Sequence, residues 1–329
     1  MEEYYYSMTM TQPMFESKKL LSSSSSDTQV GEIEEIEDEV YKKFRLFNRF
    51  DVVSGPFDHY FFCSQLLTKR ISSSFLKITE EWKMLEEKLP NSIYVRAYKE
   101  RLDLMRAVIV GQEGTPYHNC LFFFDIQFPS DYPLNPPKLY YYSHGLRLNP
   151  NLRTNGEVSA WHGSILKEKW SPGQSTILSY LVSVQDLVLN SKPYFNRPGC
   201  EYKIASPIEE EKSKAYNKDI MMVSFKAMLY TLRSPPKHFE EFVAGHFRKQ
   251  SHDILMACKG CMHSDEGLNN RIFMELLCAF EANGSYCKHF VCDVKEEQIV
   301  VPILHSDQEQ NKDGYGKKIF NKLMNSFCV

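Results

Sequence analysis

A serine and a histidine stand three residues apart, as Ser159 and His162, within the polar stretch Asn149–Trp170. A serine hydroxyl becomes an effective nucleophile when an adjacent general base accepts its proton. His162 would have to fold back to reach that hydroxyl, and no third residue is placed to orient its ring. The spacing therefore favours a loop histidine over a catalytic pair.

Cysteines are the other candidate nucleophiles. Cys120 stands in a nearly apolar run, which predicts a buried structural thiol, whereas Cys200 follows a Pro-Gly turn signal and is expected to be more exposed. Cys258-x-x-Cys261-x-His263 resembles half of a zinc-ligand pattern. The later cysteines and histidine do not match a second ligand pair. We therefore expect no metal and no cofactor.

Composition restricts the class of protein. A hydrophobic content of 43% is ample for a packed core, and the net charge of -3 gives no reason to expect nucleic acid or an anionic membrane as a partner. No apolar run approaches the roughly 20 residues of a membrane span, and the start of the chain lacks the pattern of a secretory signal. Nine cysteines without a pairing pattern are typical of a reducing compartment. We expect a cytoplasmic or nuclear location.

The candidate residues lie within a predicted α+β domain. Apolar residues from Phe75 to Leu89 recur at steps of three and four, which predicts an amphipathic helix that begins the fold. Four apolar or alternating segments follow and predict an antiparallel meander; they are residues 93–98, 104–110, 120–128 and 138–142. Further helices are predicted over residues 175–190, 212–232, 239–255 and 271–282, with a short strand or extended segment at 299–304 and a small helix at 319–327.

These patterns divide the chain into three parts. Residues 1–70 contain a serine run and an acidic block, so a largely disordered tail is expected there. Residues 71–232 form the predicted core, and residues 233–329 form a helical extension. An alternative is left open for the tail, because its apolar patches at 41–50 and 57–67 could pack on the core as a helix or strand. The sequence does not decide whether residues 265–329 pack on the core.

Several uncommon motifs occur in one order, and together they resemble the core of a ubiquitin-conjugating (E2) enzyme. They are Gly-Thr-Pro-Tyr at 114–117, Phe-Pro at 128–129, Tyr-Pro-x-x-Pro-Pro at 132–137, x-Pro-Asn at 149–151, Asn-Gly at 155–156 and Trp-Ser-Pro at 170–172. The runs at 184–196 and 234–240 resemble the extended branch of that family, which includes the large hybrid enzymes and the plant phosphate-homeostasis enzymes.

The resemblance implies an acyl-transfer site with one decisive departure. The family places its thioester cysteine eight residues after the Asn of a His-Pro-Asn motif, and that count from Asn151 reaches Ser159. Asn151 is then expected to donate a hydrogen bond to the oxyanion, although an Asn in this turn can also be structural. The family's His is replaced by Asn149, which we expect to affect packing more than chemistry. Ala160-Trp161 after the site also departs from the family's pattern.

The resemblance also implies a ligase-contact surface. In the family, ligases contact the residue between the prolines of the Tyr-Pro motif and the loop after Trp-Ser, which correspond here to Leu134 and to Ser171, Pro172 and Gly173. For Leu134 the alternative is a loop residue that covers the sheet edge. The expected partners are ubiquitin or a ubiquitin-like modifier, together with a ligase, an activating enzyme or another conjugating enzyme.

These expectations support one hypothesis and two alternatives. The hypothesis is a ubiquitin-conjugating-like protein that is catalytically impaired and acts by binding or regulation. The first alternative is an active enzyme that uses an unrecognised nucleophile. The second is a scaffold without catalysis. Detection of a thiol-sensitive ubiquitin adduct separates the enzyme from the other two.

Overall fold

A computed structural model describes residues 38–63, 71–158, 170–197, 199–200, 206–261 and 266–293. Ser159, His162 and His263 lie outside these residues, as do the predicted strand at 299–304 and the predicted helix at 319–327. Residues 1–37 of the predicted tail also lie outside them. Within the described ranges, no helix is both long and apolar enough to cross a lipid bilayer.

A five-stranded sheet forms the centre of the fold and confirms the α+β class. Its strands, in spatial and chain order, are β1 Phe50–Val53, β2 Ile93–Tyr98, β3 Leu104–Val110, β4 Leu121–Gln127 and β5 Lys138–Tyr141. Strands β2 to β5 form the predicted antiparallel meander. Strand β1 was not predicted; it pairs in parallel with β2, with Phe50 opposite Val95.

Six α-helices surround the sheet in the described ranges: α1 Glu39–Arg45, α2 Ile71–Lys88, α3 Ile177–Ser183, α4 Pro207–Arg233, α5 Glu240–Gly260 and α6 Glu266–Ala282. Helix α3 continues into a π-helical turn, Val184–Val188, and 3-10 turns occur at Pro193–Asn196 and Lys288–Asp293. The predicted core face of α2 is confirmed for Ile78, Leu85 and Leu89, which are buried. It is wrong for Phe75, which is 39% exposed.

The prediction of a largely disordered tail through residue 70 is wrong for residues 38–63, which include α1 and β1. The alternative left open for the patch at 41–50, a helix or strand that packs on the core, is confirmed. Phe44 of α1 lies so close to Gly245 of α5 that a Cβ on the glycine would come within 2.3 Å of the Phe44 Cβ. Asp38 forms an ion pair with Arg248, and Lys43 Nζ lies 3.0 Å from a carboxylate oxygen of Glu241. These contacts offset the entropy cost of ordering the segment, which a count of local composition does not include.

Both faces of the sheet are covered. One face carries Tyr94 and Phe123, whose rings lie 4.3 Å from Phe242 and 5.3 Å from Phe239, respectively. Residues that point to the other face, such as Phe122 and Phe124, are also fully buried and belong to one core with Ile177 and Leu181. Helix α6 contributes Leu276, Leu277 and Phe280 to the same core, so the described part of the C-terminal extension packs on the domain.

A buried ionic network attaches the loop 54–63 to the sheet face that carries Tyr94 and Phe123. Arg106 and Asp125 are fully buried and form a bidentate pair, with the shorter N–O distance at 2.7 Å. Arg106 also pairs with Asp58 at 2.8 Å. His59 Nδ1 accepts a hydrogen bond from the Phe61 N–H, so Nε2 carries the proton that is donated to a backbone carbonyl. Burial holds the pKa of His59 below its ordinary value, which keeps the ring neutral.

Candidate functional site

The stretch that carries the candidate chemistry forms a small hairpin, residues 149–158. Leu152 pairs with Val158 in an isolated bridge, and the Arg153 N–H donates to the Glu157 carbonyl at 3.0 Å. Gly156 lies at the tip with φ of +85°, a conformation that side chains with a Cβ rarely adopt. The hairpin also joins the sheet, because the Tyr141 N–H donates to the Gly156 carbonyl at 2.7 Å.

Asn149 organises the base of this hairpin. Its side chain is fully buried, and its amide donates to the Val188 carbonyl at 2.7 Å and to the Tyr117 hydroxyl at 2.8 Å. Its Oδ1 accepts the Asn151 N–H at 2.9 Å. Tyr117 in turn donates to the Leu148 carbonyl at 3.0 Å. Asn149 therefore makes three hydrogen bonds, one of which connects the hairpin to the end of the helical segment at Val188.

The Val188 carbonyl is the point where several amides meet. It ends the π-helical turn Val184–Val188, so the helix supplies no partner for it. Asn149 and Asn196 both donate to it, at 2.7 and 2.8 Å. Asn190 then donates to the Asn196 Oδ1 at 2.8 Å. The sequence analysis did not predict this chain of amides, and the repeated asparagines after residue 188 were its only local signal.

Asn151 lies inside the hairpin and is buried. Its backbone N–H is held by Asn149, which sets the direction of the residue that is expected to be the oxyanion donor. Ser159 directly follows Val158 in the chain but lies outside the described residues. The assignments of Asn151 as donor and of Ser159 as the residue at the thioester position therefore stay predictions.

The predicted ligase-contact residues lie on two neighbouring loops. The Trp170 Nε1–H donates to the Pro133 carbonyl at 2.7 Å, which joins the loop after Trp170 to the Tyr-Pro loop. Leu134 is 67% exposed, and Pro172 and Gly173 are exposed beside the partly exposed Ser171. The structure thus brings the four predicted residues onto neighbouring exposed loops, and their binding role stays a prediction.

A buried glutamate supports these loops and was missed by the sequence analysis. Glu81 of α2 accepts a hydrogen bond from the Tyr132 hydroxyl and another from the Ile177 N–H at 3.1 Å. Burial raises the pKa of Glu81, and the two donors oppose that shift. The signal in the sequence is an acidic residue three positions after Ile78 and four before Leu85, on the apolar face of the helix.

Burial makes five of the described cysteines poor nucleophiles, because it raises the pKa of their thiols. Burial raises the pKa of the Cys120 and Cys258 thiols to about 12, so both remain protonated near neutral pH. Burial also raises the pKa of Cys261, Cys278 and Cys287. Within the described ranges, no group of three or more His, Cys, Asp or Glu side chains is arranged to hold a metal ion.

Comparison with known proteins identifies the class to which this fold and hairpin belong. Residues 77–223 match the family model described as ubiquitin-conjugating enzyme. The Arabidopsis thaliana ubiquitin-conjugating enzyme E2 38 is 48% identical over 220 residues, which cover 65% of this chain and 67% of that protein. For the Arabidopsis enzyme E2 39, the identity is 47% over 229 residues, with 65% and 69% covered. The chain belongs to the ubiquitin-conjugating enzyme family.

The similarity also extends to a hybrid enzyme. The human dual E2 ubiquitin-conjugating enzyme/E3 ubiquitin-protein ligase BIRC6 is 36% identical over 243 residues, which cover 67% of this chain but 5% of that protein. Two further Arabidopsis relatives are longer than this chain, which spans 36% and 40% of their lengths. The predicted membership of the extended branch is confirmed.

Proposed function

We propose that this chain is a catalytically impaired member of the ubiquitin-conjugating family that acts by binding ubiquitin and a ligase. The observation that carries the proposal is the serine at position 159, eight residues after Asn151. The hydroxyl is a weaker nucleophile than a thiol, and the resulting oxyester would be aminolysed far more slowly than a thioester. Family membership is the basis for ubiquitin, an activating enzyme and a ligase as expected partners; an active conjugating enzyme is a further proposed partner.

The hairpin leads to this position through an ordered backbone. A bridge joins Leu152 to Val158, and a hydrogen bond joins Arg153 to Glu157. The residue that follows Val158 in the sequence is a serine and not a cysteine. The raised pKa values of Cys120 and Cys258 argue against these thiols as substitute nucleophiles.

The exposed surfaces support a binding role. Leu134 presents an apolar side chain beside Ser171–Gly173, while the loops that carry them are held by the Trp170–Pro133 hydrogen bond. A preorganised apolar surface binds a partner more tightly than a mobile surface does, because less conformational entropy is lost on association. The free thiols of the described cysteines support the proposed cytoplasmic or nuclear location.

A loading assay tests the proposal. The purified chain is incubated with activating enzyme, ATP and ubiquitin, and the products are separated without and with reducing agent. A known active conjugating enzyme serves as the positive control, and Ser159→Ala and Ser159→Cys serve as matched variants. We expect no adduct with the natural chain and binding of 15N-labelled ubiquitin or of a purified ligase domain in an NMR titration.

Each other outcome favours a named alternative. A thiol-sensitive adduct on the natural chain overturns the proposal and supports an active enzyme. A thiol-resistant, hydroxide-sensitive adduct that disappears in Ser159→Ala assigns an oxyester to Ser159. The absence of both loading and binding favours the scaffold. If Ser159→Cys is loaded with ubiquitin and the natural chain is not, the thiol is the only group that the natural chain lacks for loading.

A further inference from the structure

We propose that the loop 54–63 is an intramolecular support for the hairpin 149–158, with Tyr60 as a positioning residue. The Tyr60 ring stacks on the Tyr140 ring, with centroids 3.6 Å apart and planes within 4° of parallel. Tyr60 is nevertheless 58% exposed. Contact with Tyr140, and not burial in the core, therefore accounts for the ordered position of this ring.

Tyr140 transmits this contact to the hairpin. It lies on β5, pairs with Glu157 in an isolated bridge, and places its ring against Gly156. A Cβ on Gly156 would lie 2.1 Å from a Tyr140 ring atom. The next residue, Tyr141, donates its N–H to the Gly156 carbonyl at 2.7 Å. Tyr140 is thus in contact with Tyr60 and with the hairpin tip at the same time.

The loop can act as a support because its other end is attached to the sheet. The Tyr60 N–H donates to Asp125 Oδ2 at 2.7 Å, and Asp125 is paired with Arg106 in the interior. Asp58, two residues earlier, forms a second ion pair with Arg106 at 2.8 Å. The buried ionic network therefore holds the Tyr60 backbone while its ring holds Tyr140.

The consequence concerns the residues that the hairpin presents. The hairpin carries Asn151, whose backbone N–H is held by Asn149, so the position of the hairpin sets the position of the residue that is expected to be the oxyanion donor. That role of Asn151 is an expectation from the family resemblance, whereas the mechanical support rests on the contacts of Tyr60 and Tyr140. The support can therefore be measured without loading any ubiquitin.

Amide hydrogen exchange of the full chain, followed by NMR, tests the support in Tyr60→Ala, Tyr60→Phe and Phe57→Ala. Phe57 is the matched control, since it is an aromatic residue of the same loop, is 70% exposed and pairs with Phe62 instead of Tyr140. We expect Tyr60→Ala to accelerate exchange of the Tyr141, Arg153 and Gly156 amides by roughly three- to tenfold, the equivalent of losing one aromatic pair. The amides of the β3–β4 ladder should be unchanged.

The conservative variant separates stacking from a general loss of stability. Tyr60→Phe should restore slow exchange and the upfield ring-current shift of the Gly156 α-protons, because a phenyl ring can stack as tyrosine does. The proposal is overturned if Tyr60→Ala leaves the hairpin amides unchanged. It is equally overturned if the β3–β4 amides accelerate to the same extent, or if Phe57→Ala has the same local effect. A thiol-sensitive adduct in the loading assay would overturn the proposed function and leave these amide rates unaffected, so the two proposals fail separately.

Discussion

Asn149 Oδ1 accepts the backbone N–H of Asn151 at 2.9 Å, so one buried amide holds the residue that is expected to face the reacting carbonyl. The other end of the Asn149 amide reaches the Val188 carbonyl and the Tyr117 hydroxyl. The side chain that the resemblance assigns to the position of the family's histidine thus joins the hairpin to the π-helical turn. Its contribution is to the geometry of the turn, since its donors and acceptor are occupied within the protein.

Replacement of Asn149 by alanine should therefore destabilise the fold. The substitution removes three buried hydrogen bonds and leaves a small cavity, so we expect a loss of about 2 to 4 kcal/mol in the free energy of unfolding. Urea denaturation followed by fluorescence measures it. Asn155→Ala is the matched control, because Asn155 is exposed in the same hairpin and its Oδ1 accepts one local hydrogen bond from the Glu157 N–H. Equal losses in both variants would contradict the role assigned to Asn149.

Two glycines with positive φ should respond differently to alanine. At Gly156 a Cβ would collide with the Tyr140 ring, whereas at Gly173 no atom lies within 4 Å of the added Cβ. We expect Gly156→Ala to cost about 3 kcal/mol or more, from backbone strain and overlap together, and Gly173→Ala to cost about 1 kcal/mol from strain alone. Thermal unfolding measures both. A smaller loss for Gly156→Ala than for Gly173→Ala would show that Tyr140 moves aside freely.

Acidification should destabilise the protein through His246. Burial lowers the pKa of this histidine from 6.5 to about 4, while its hydrogen bond with the Asn119 carbonyl opposes the shift. In the unfolded chain His246 binds a proton below about pH 6.5, whereas in the folded chain it binds one only below about pH 4. The free energy of unfolding therefore decreases as pH falls from 6.5 to 4. The shift corresponds to roughly 3 kcal/mol. The buried His59 acts in the same direction.

His246→Gln tests the assignment, because the glutamine amide can donate to the same carbonyl and does not titrate. The difference in unfolding free energy between pH 7 and pH 4 should shrink by roughly 3 kcal/mol relative to the natural chain. His252→Gln, at an exposed position on the same helix, is the matched control and should leave that difference unchanged. An unaltered pH dependence in His246→Gln would exclude His246 as its source.

Leu134 should matter for binding and little for stability. Leu134→Ala removes a side chain that is 67% exposed, so we expect a change in unfolding free energy within about 0.5 kcal/mol. The ligase domain is first selected from a purified panel by its binding to the natural chain. The affinity of Leu134→Ala for this domain should be lower by about tenfold or more, because apolar residues at the centre of an interface contribute most to binding. Isothermal titration measures the affinity. Met256→Ala, at an exposed apolar residue of α5, is the control; an equal loss in both variants would contradict a specific contact at Leu134.

Trp170→Phe should affect the same surface indirectly. The substitution removes the Nε1–H that donates to the Pro133 carbonyl, but retains an aromatic ring near Tyr132. We expect a stability loss of about 1 kcal/mol and a weaker affinity for the same ligase domain, because one hydrogen bond between the two loops is lost. Amide exchange at Leu134 reports the uncoupling, and unchanged exchange there would contradict it.

Local patterns in the sequence were sufficient for much of the architecture. The alternation and β-branched residues at 93–98 and 104–110 predicted β2 and β3 with the observed bounds. The helical periodicity around Leu85 predicted α2. Side chains alternate between the two faces of a strand and return to the same face of a helix every three to four residues, so the buried face of each element leaves a period in the sequence.

What the sequence alone determined is the fold class, the family motifs and the chemical identity of residue 159, since a hydroxyl at that position is a covalent fact. Tertiary structure decided the rest: the parallel pairing of β1 with β2, the packing of Phe44 on Gly245, and the stack of Tyr60 on Tyr140. Each of these joins residues more than 40 positions apart. No local period encodes such contacts, because they form only when the folded sheet and helices bring distant surfaces together.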